Sequence, residues 1–168
     1  MPRVMLVEDE APLRRIITLN LARHGYTVAE ADNAASANDE LRAAQAMNTP
    51  FDLILLDINL PDQTGWDVLR RFAPAHENAH EHAAGVADPA PMRPPVIVIS
   101  AIQPPRSRIE EFHPEGALIK PFPIEALLRL MARLLLRKAE GLNSAGELED
   151  TGPLANVTPP PNERTTPE

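Results

Sequence analysis

The sequence predicts an α/β protein, built as a five-stranded parallel sheet with helices on both faces. Five short apolar runs of strand length alternate with longer segments whose apolar residues recur at helical spacing. The central runs are apolar at nearly every position, which is typical of strands covered on both faces. Parallel neighbours of this kind are joined by right-handed crossovers through the intervening helices, so the expected architecture is doubly wound.

The predicted strands are short and each is followed by turn or capping residues. They cover Val4 to Val7, Tyr26 to Ala31, Phe51 to Leu56, Pro94 to Ser100 and Gly116 to Ile119. The predicted helices cover about residues 12–24, 34–47, 64–72, 106–112 and 124–140, with proline in or before the first turn of the first and the last. The last helix carries a clear apolar stripe at i, i+3, i+4 and i+7 spacing.

The fourth helix is predicted to be short. Pro104, Pro105 and Pro114 leave room for about two turns at most, because proline is tolerated in a first turn and excluded from a helix interior. The segment from Arg106 to Phe112 is therefore the longest helix that this region allows.

Composition indicates one folded domain, residues 1–140, followed by a tail. Residues 141–168 are acidic and rich in proline, have no aromatic residue and include the run Pro159 to Pro161. Such a segment cannot bury enough apolar surface to fold, so we predict that it is disordered.

Several classes of function are disfavoured by composition. The chain has no cysteine, which excludes disulfides and thiol chemistry. It has no long apolar run and no signal-peptide pattern, so we expect a cytoplasmic protein without a membrane span. The net charge is −8 and the basic residues do not cluster, so direct nucleic-acid binding is not expected.

Polar side chains stand at the ends of four predicted strands. These are the pair Glu8 and Asp9, then Asp57, Ser100 and Lys120. The carboxyl ends of parallel strands meet at one edge of a sheet, where open α/β sheets keep their sites. Carboxylates, a hydroxyl and an ammonium group at one edge predict a functional site there.

The motifs at these positions resemble the receiver domain of bacterial two-component response regulators. They are, in order, VEDE, LLDINLPDQTGWDVL, VIVISA and LIKPF, and the resemblance covers residues 3 to about 138. It implies a flavodoxin-like strand order, 2-1-3-4-5. It also implies that the Lys120–Pro121 peptide bond is cis.

The resemblance implies a role for each site residue. Asp57 would accept a phosphoryl group from a histidine kinase or a histidine phosphotransfer protein. Mg²⁺ would be held by Asp9, Asp57, Glu8 and the backbone carbonyl of Asn59, while Lys120 and Ser100 would contact phosphoryl oxygens. The chain would catalyse only its own phosphorylation and dephosphorylation, with no independent metabolic activity. Crowding of three carboxylates should raise the pKa of at least one of them.

Three departures from the family pattern limit what the resemblance implies: the short fourth helix described above, an alanine in place of an aromatic residue, and an insertion. The family usually has an aromatic residue three positions before Lys120, where this chain has Ala117. Pro74 to Pro94 is an insertion, and its His76, His80 and His82 could bind Zn²⁺ or Ni²⁺ or could simply lie in a solvated loop.

Three functions follow from these observations. The leading one is a stand-alone signalling receiver that acts through an unknown downstream protein or by onward phosphotransfer, with its oligomeric state open. The second is a receiver-like binding module that works without phosphate, which Ala117 and the short fourth helix favour. The third is an aspartyl-phosphate phosphohydrolase. Such enzymes have the pattern Asp-x-Asp at the nucleophile, and this function is disfavoured because the second of these positions is Asn59 here.

Overall fold

A computed structural model of the chain describes residues 1–72 and 93–140. Residues 74–92 of the predicted insertion, with His76, His80 and His82, lie outside the described residues, as does the predicted tail, 141–168. The described part alternates strands and helices from its first strand to its last helix. In chain order the elements are β1 Arg3–Val7, α1 Ala11–Arg23, β2 Thr27–Ala31, α2 Ala34–Ala46, β3 Leu53–Asp57, α3 Gly65–Phe72, β4 Val96–Ser100, α4 Arg106–Phe112, β5 Gly116–Ile119 and α5 Ile124–Ala139.

The strands form one parallel sheet in the order β2-β1-β3-β4-β5. β1 lies between β2 and β3, so that Leu6 is in register with Glu30 on one side and Leu55 on the other. β3 lies between β1 and β4, which places the end of β3 in the middle of the sheet edge. The predicted fold class and strand order are confirmed.

Side chains of the central strands alternate between two separate cores. Met5, Val7, Ile54 and Leu56 point to the face covered by α2, α3 and α4. The residues between them point to the opposite face, covered by α1 and α5. Because both faces are covered, all residues of β3 and β4 are buried, which explains why these strands appear as unbroken apolar runs.

The start of α2 is capped from two directions. Asn33 accepts a hydrogen bond from the backbone N–H of Ser36 at 2.8 Å. Asp62, from the loop after β3, accepts the N–H groups of Ala34 at 2.9 Å and Ala35 at 3.0 Å. The first three amide groups of the helix are therefore all satisfied, and the loop that follows β3 is tied to α2.

The fourth helix has the predicted bounds, Arg106–Phe112, and is two turns long. It ends at His113, whose left-handed conformation (φ 44°) stops the helix before Pro114. Its single buried residue, Phe112, stacks on Trp66 of α3 with ring centroids 5.3 Å apart. Phe112 and the partly buried Ile109 thus attach this short helix to the core.

A salt bridge reinforces this contact at the surface. Arg70 of α3 reaches Glu111 of α4 at 3.0 Å and lies over the ring of Phe112, 5.4 Å from its centroid. Exposed pairs of this kind contribute little to stability, so the buried ring is the main attachment. Within residues 1–72 and 93–140, none of the helices has the length and apolar content needed to cross a membrane.

Replacing Phe112 with alanine should therefore weaken the fold measurably. We expect Phe112→Ala to lower the free energy of unfolding by about 3 kcal/mol or more, because it removes a buried ring and leaves a cavity beside Trp66. Urea denaturation followed by the fluorescence of Trp66, the single tryptophan of the chain, measures this.

Ile102 provides the matched control, since its apolar side chain is 69% exposed. Ile102→Ala should change the free energy of unfolding by no more than about 0.5 kcal/mol. Equal losses in the two variants would show that Phe112 does not attach α4 to the core.

Candidate functional site

Four strand ends bring the predicted site residues to one edge of the sheet. Glu8 follows β1 directly, Asp57 ends β3, Ser100 ends β4 and Lys120 follows β5. Backbone hydrogen bonds continue the ladder into this edge, for example from the N–H of Lys120 to the carbonyl of Ser100 at 2.8 Å. The register of the sheet thus fixes where each of these side chains starts.

Lys120 bridges two of the carboxylates. Its Nζ lies 2.6 Å from Oδ2 of Asp57 and 2.8 Å from Oε1 of Glu8. Asp57 and Glu8 are separated from Lys120 by 63 and 112 positions of sequence, so only the fold brings the three together. Charge-assisted hydrogen bonds of this length are among the stronger polar contacts in proteins.

Burial shapes the acid-base properties of this group. Glu8 is fully buried, and burial, helped by the charge of Asp57, raises its pKa although Lys120 acts in the opposite direction. Desolvation lowers the pKa of Lys120, but the two carboxylates outweigh it, so that pKa is raised above its usual value. One carboxyl pKa at this edge is raised, as predicted, but burial is the larger cause and the neighbouring carboxylate the smaller one.

A third carboxylate completes an acidic cluster. Glu8, Asp9 and Asp57 each place one oxygen within 4.8 Å of the others. Asp9 is exposed, while Asp57 is 2% exposed. Within the part of the chain that the structure describes, the buried Oε2 of Glu8 has no hydrogen-bond partner. An all-oxygen donor set with an unsatisfied buried oxygen fits a hard divalent cation.

The loop after β3 packs tightly against the backbone of Asp57. The N–H of Asn59 donates to Oδ1 of Asp57 at 2.8 Å, and the N–H of Gly65 donates to the carbonyl of Ile58 at 2.8 Å. A Cβ atom at position 65 would lie 2.3 Å from the carbonyl oxygen of Asp57. Glycine is therefore required at this position for the loop to return beside Asp57.

Ser100 lies at the edge without touching the charged group. Its side chain is buried, and its Oγ accepts a hydrogen bond from the N–H of Ile102 at 3.3 Å. Among the described residues, the Ser100 side chain makes no hydrogen bond to Asp57 or Lys120. Ala117 is exposed on the edge strand β5, in register with Val98. Because the residue is alanine, this position offers no aromatic ring. The predicted cis bond between Lys120 and Pro121 is present.

Two residues that support the site were not identified from sequence. Arg14 donates to the carbonyl of Glu8 at 2.6 Å, and Asp62 ties the loop after β3 to α2. The first contact is to a main-chain carbonyl, so the residue type at position 8 gives no signal for it. For Asp62 no local signal exists, since its partners lie 27 and 28 positions away.

The fold and site together define a doubly wound α/β protein with an acidic cluster and a lysine at the carboxyl edge of its sheet. Residues 4–132 match the response regulator receiver domain family. The chain belongs to that family, and the predicted resemblance is confirmed. It is a two-component signalling domain by family, with the flavodoxin-like order already described.

Curated relatives agree with this assignment. The transcriptional regulatory protein CusR of Escherichia coli K12 is 30% identical over 139 residues, which cover 82% of this chain and 52% of CusR. ResD of Bacillus subtilis is 31% identical over 140 residues, covering 82% of this chain and 49% of ResD. The chain spans about half the length of the curated relatives it matches.

Solved structures show the same fold at low sequence identity. A CheY-like receiver domain protein of Methanospirillum hungatei superposes with a TM-score of 0.65 at 18% identity, covering 84% of this chain and 98% of that one. TrrA of Thermotoga maritima, determined in complex with Mg²⁺ and BeF, gives 0.59 at 21% identity, with coverage of 80% and 99%.

The raised pKa of Glu8 makes stability depend on pH in a defined direction. The folded protein binds this proton more tightly than the unfolded chain, so Glu8 lowers stability as pH rises above its ordinary pKa of 4.5. We expect the free energy of unfolding of metal-free wild type, relative to Glu8→Gln, to fall from pH 4.5 upward. It should level off once the pH exceeds the raised pKa.

Urea denaturation in the presence of EDTA at a series of pH values measures this difference. Glu40→Gln, which removes a carboxylate from the exposed surface of α2, controls for the change in net charge. A difference between wild type and Glu8→Gln that stays constant or grows with pH would contradict the interpretation.

Proposed function

We propose that this chain receives a phosphoryl group on Asp57 from a histidine kinase or a histidine phosphotransfer protein. Its output would be a protein–protein contact or onward phosphotransfer. The observation that carries the proposal is the Lys120 ammonium held between Glu8 and Asp57, at 2.8 and 2.6 Å. The membership of the chain in the receiver domain family supports the same proposal.

Asp57 has the properties of an acceptor nucleophile. One carboxylate oxygen is held by the N–H of Asn59 and the other by Lys120, which fixes the orientation of the group. An oxygen of Asp57 attacks phosphorus while the P–N bond of the donor phosphohistidine breaks, and the electron pair of that bond returns to the imidazole nitrogen. An acyl phosphate forms, and attack of water on phosphorus later returns the free carboxylate.

Positioning and charge neutralisation carry such a reaction, because the protein has little covalent chemistry to perform. Glu8, Asp9, Asp57 and the backbone carbonyl of Asn59 would hold Mg²⁺. When bound, the ion neutralises negative charge on the carboxylates and the incoming phosphoryl group. The free Oε2 of Glu8 and the exposure of Asp9 leave acidic oxygens available for it.

Lys120 and Ser100 would respond to the phosphoryl group. Lys120 would exchange one carboxylate contact for a phosphoryl oxygen, since a phosphoryl group adds about −1.5 to −2 charge beside it. The Ser100 hydroxyl, which now accepts a hydrogen bond only from the N–H of Ile102 among the described residues, would donate to another phosphoryl oxygen. These two movements would carry the signal to the loops after β4 and β5.

A phosphate-independent binding module is the second candidate. Ala117 offers no ring to follow Ser100, and α4 has only seven residues, so the output surface differs from the usual family pattern. For residues 1–140 we expect no direct nucleic-acid contact. The relatives are transcriptional regulatory proteins, and this chain matches about half of their length.

Phosphorylation is tested directly by mass. Incubation with acetyl phosphate and Mg²⁺ should add the mass of one phosphoryl group (HPO₃) to the wild-type chain, and the adduct should be labile as acyl phosphates are. Asp57→Asn should abolish it, because the amide oxygen is a poor nucleophile. Intact-protein mass spectrometry makes the measurement.

Asp39→Asn is the matched control, since the Asp39 side chain is 79% exposed on α2. It should be phosphorylated like wild type. No adduct on wild type under conditions that modify a known receiver would favour the phosphate-independent module.

Loss of Asp9 should weaken metal binding. We expect Asp9→Asn to raise the dissociation constant for Mg²⁺ at least about tenfold, because a charged oxygen ligand is removed from the cluster. Asp32→Asn removes the same charge at the end of β2, outside the cluster, and should leave Mg²⁺ binding close to that of wild type. Isothermal titration calorimetry distinguishes the two, and equal dissociation constants would argue against Asp9 as a ligand.

A further inference from the structure

The side chain of Arg14 donates hydrogen bonds to the backbone of the acidic loop between β1 and α1. Nη1 of Arg14, in the first turn of α1, donates to the carbonyl of Glu8 at 2.6 Å and to that of Asp9 at 3.2 Å. Its Nε lies 3.4 Å from Oε2 of Glu30 on β2. The Arg14 side chain is 19% exposed and that of Glu30 is 43% exposed, so the guanidinium is mostly shielded from water while Glu30 is not.

Main-chain hydrogen bonds fix the two ends of this loop, from the N–H of Glu8 to the carbonyl of Ala31 at 3.0 Å and from the N–H of Arg14 to the carbonyl of Glu10 at 2.9 Å. Few side-chain contacts support the residues between them. Glu10, the N-cap residue of α1, makes no side-chain capping bond, and α1 has no acidic residue in its first turn. The N–H of Glu10 reaches Oε1 of Glu8 only at 3.4 Å. The guanidinium of Arg14 adds side-chain contacts that join the carbonyls of Glu8 and Asp9 to α1 and to Glu30 of β2.

We propose that Arg14, anchored by Glu30, is a positioning residue that holds the backbone of Glu8 and Asp9 so that their carboxylates face Asp57. This inference depends on the proposed function, since it assigns Arg14 a part in preparing the cation site. The planar guanidinium suits the task because it can bond two carbonyls and a carboxylate at once. Arg14 contacts only main-chain oxygens of the loop, which leaves the carboxylates of Glu8 and Asp9 free to bind a cation.

Charge and position make opposite predictions for the loss of Arg14. By charge alone, a guanidinium beside three carboxylates repels a divalent cation, so its removal should tighten Mg²⁺ binding. By position, its removal loosens two of the three carboxylates, so Mg²⁺ binding should weaken. The sign of the change in the dissociation constant therefore decides between the two roles.

The experiment measures Mg²⁺ binding to the full chain by isothermal titration calorimetry. Arg14→Gln should raise the dissociation constant about tenfold or more, as losses of supporting residues around metal sites typically do. Arg14→Lys keeps the charge but loses the fork of donors, so it should restore only part of the affinity. Arg15→Gln removes an equal charge from the next, exposed residue and should change the constant by less than about twofold.

A second readout is independent of the metal. In metal-free protein, we expect ¹⁵N relaxation to give Asp9 and Glu10 of wild type the backbone order parameter of a rigid segment, about 0.85. The value should fall in Arg14→Gln and stay unchanged in Arg15→Gln. Thermal unfolding shows whether the variants remain folded. If Arg14→Gln does not fold, Glu30→Gln, which removes the anchor and keeps Arg14, should show the same two effects in smaller measure.

The outcomes separate the role proposed for Arg14 from the proposed cation site. Unchanged or tighter Mg²⁺ binding in Arg14→Gln, with a rigid loop, overturns the role of Arg14. Absence of Mg²⁺ binding by wild type counts against the proposed cation site, while the order parameters still decide whether Arg14 holds the loop. Weaker binding together with a mobile loop supports both.

Discussion

The structure of the site depends on one interaction, the Lys120 ammonium lying between the carboxylates of Glu8 and Asp57. Glu8 is fully buried and Asp57 nearly so, and each has a carboxylate oxygen within 4.8 Å of the other. Two buried like charges this close repel each other strongly. A single cation shared by both reduces that repulsion but leaves Oε2 of Glu8 without a partner in the described part of the chain. The side chains alone thus neutralise the site only in part, which favours the binding of a second cation.

The parallel sheet brings these groups together, and shorter contacts hold them there. β3 is central in the order, so Asp57 emerges between the ends of β1 and β4, and Lys120 reaches across from β5. Three contacts fix the surrounding loops. Gly65 packs against the backbone of Asp57, Asp62 accepts hydrogen bonds from the first amides of α2, and Arg14 donates to the carbonyl of Glu8. A site whose chemistry is mostly positioning requires such support, because small displacements lose much of the effect.

Much of this was predictable from the sequence, for physical reasons. Apolar runs such as Val96 to Ile99 are typical of strands covered on both faces, and the prolines around Arg106 to Phe112 set the length of α4. The polar residues at the strand ends then share an edge by geometry. Partner choice was not predictable: nothing local pairs Trp66 with Phe112, or Asp62 with the start of α2, since these contacts exist only after the helices pack.

The most direct test of the account compares ¹H–¹⁵N spectra of the metal-free protein before and after addition of Mg²⁺ with beryllium fluoride, a mimic of the acyl phosphate. We expect the largest shifts at the amides of Asp9, Asn59, Ile102 and Lys120, which surround Asp57 on four different strand ends. The lysine amide should shift as its side chain leaves a carboxylate for the added group. Shifts confined to one loop, or absent at Lys120 and Asp9, would contradict the claim that these side chains form one site.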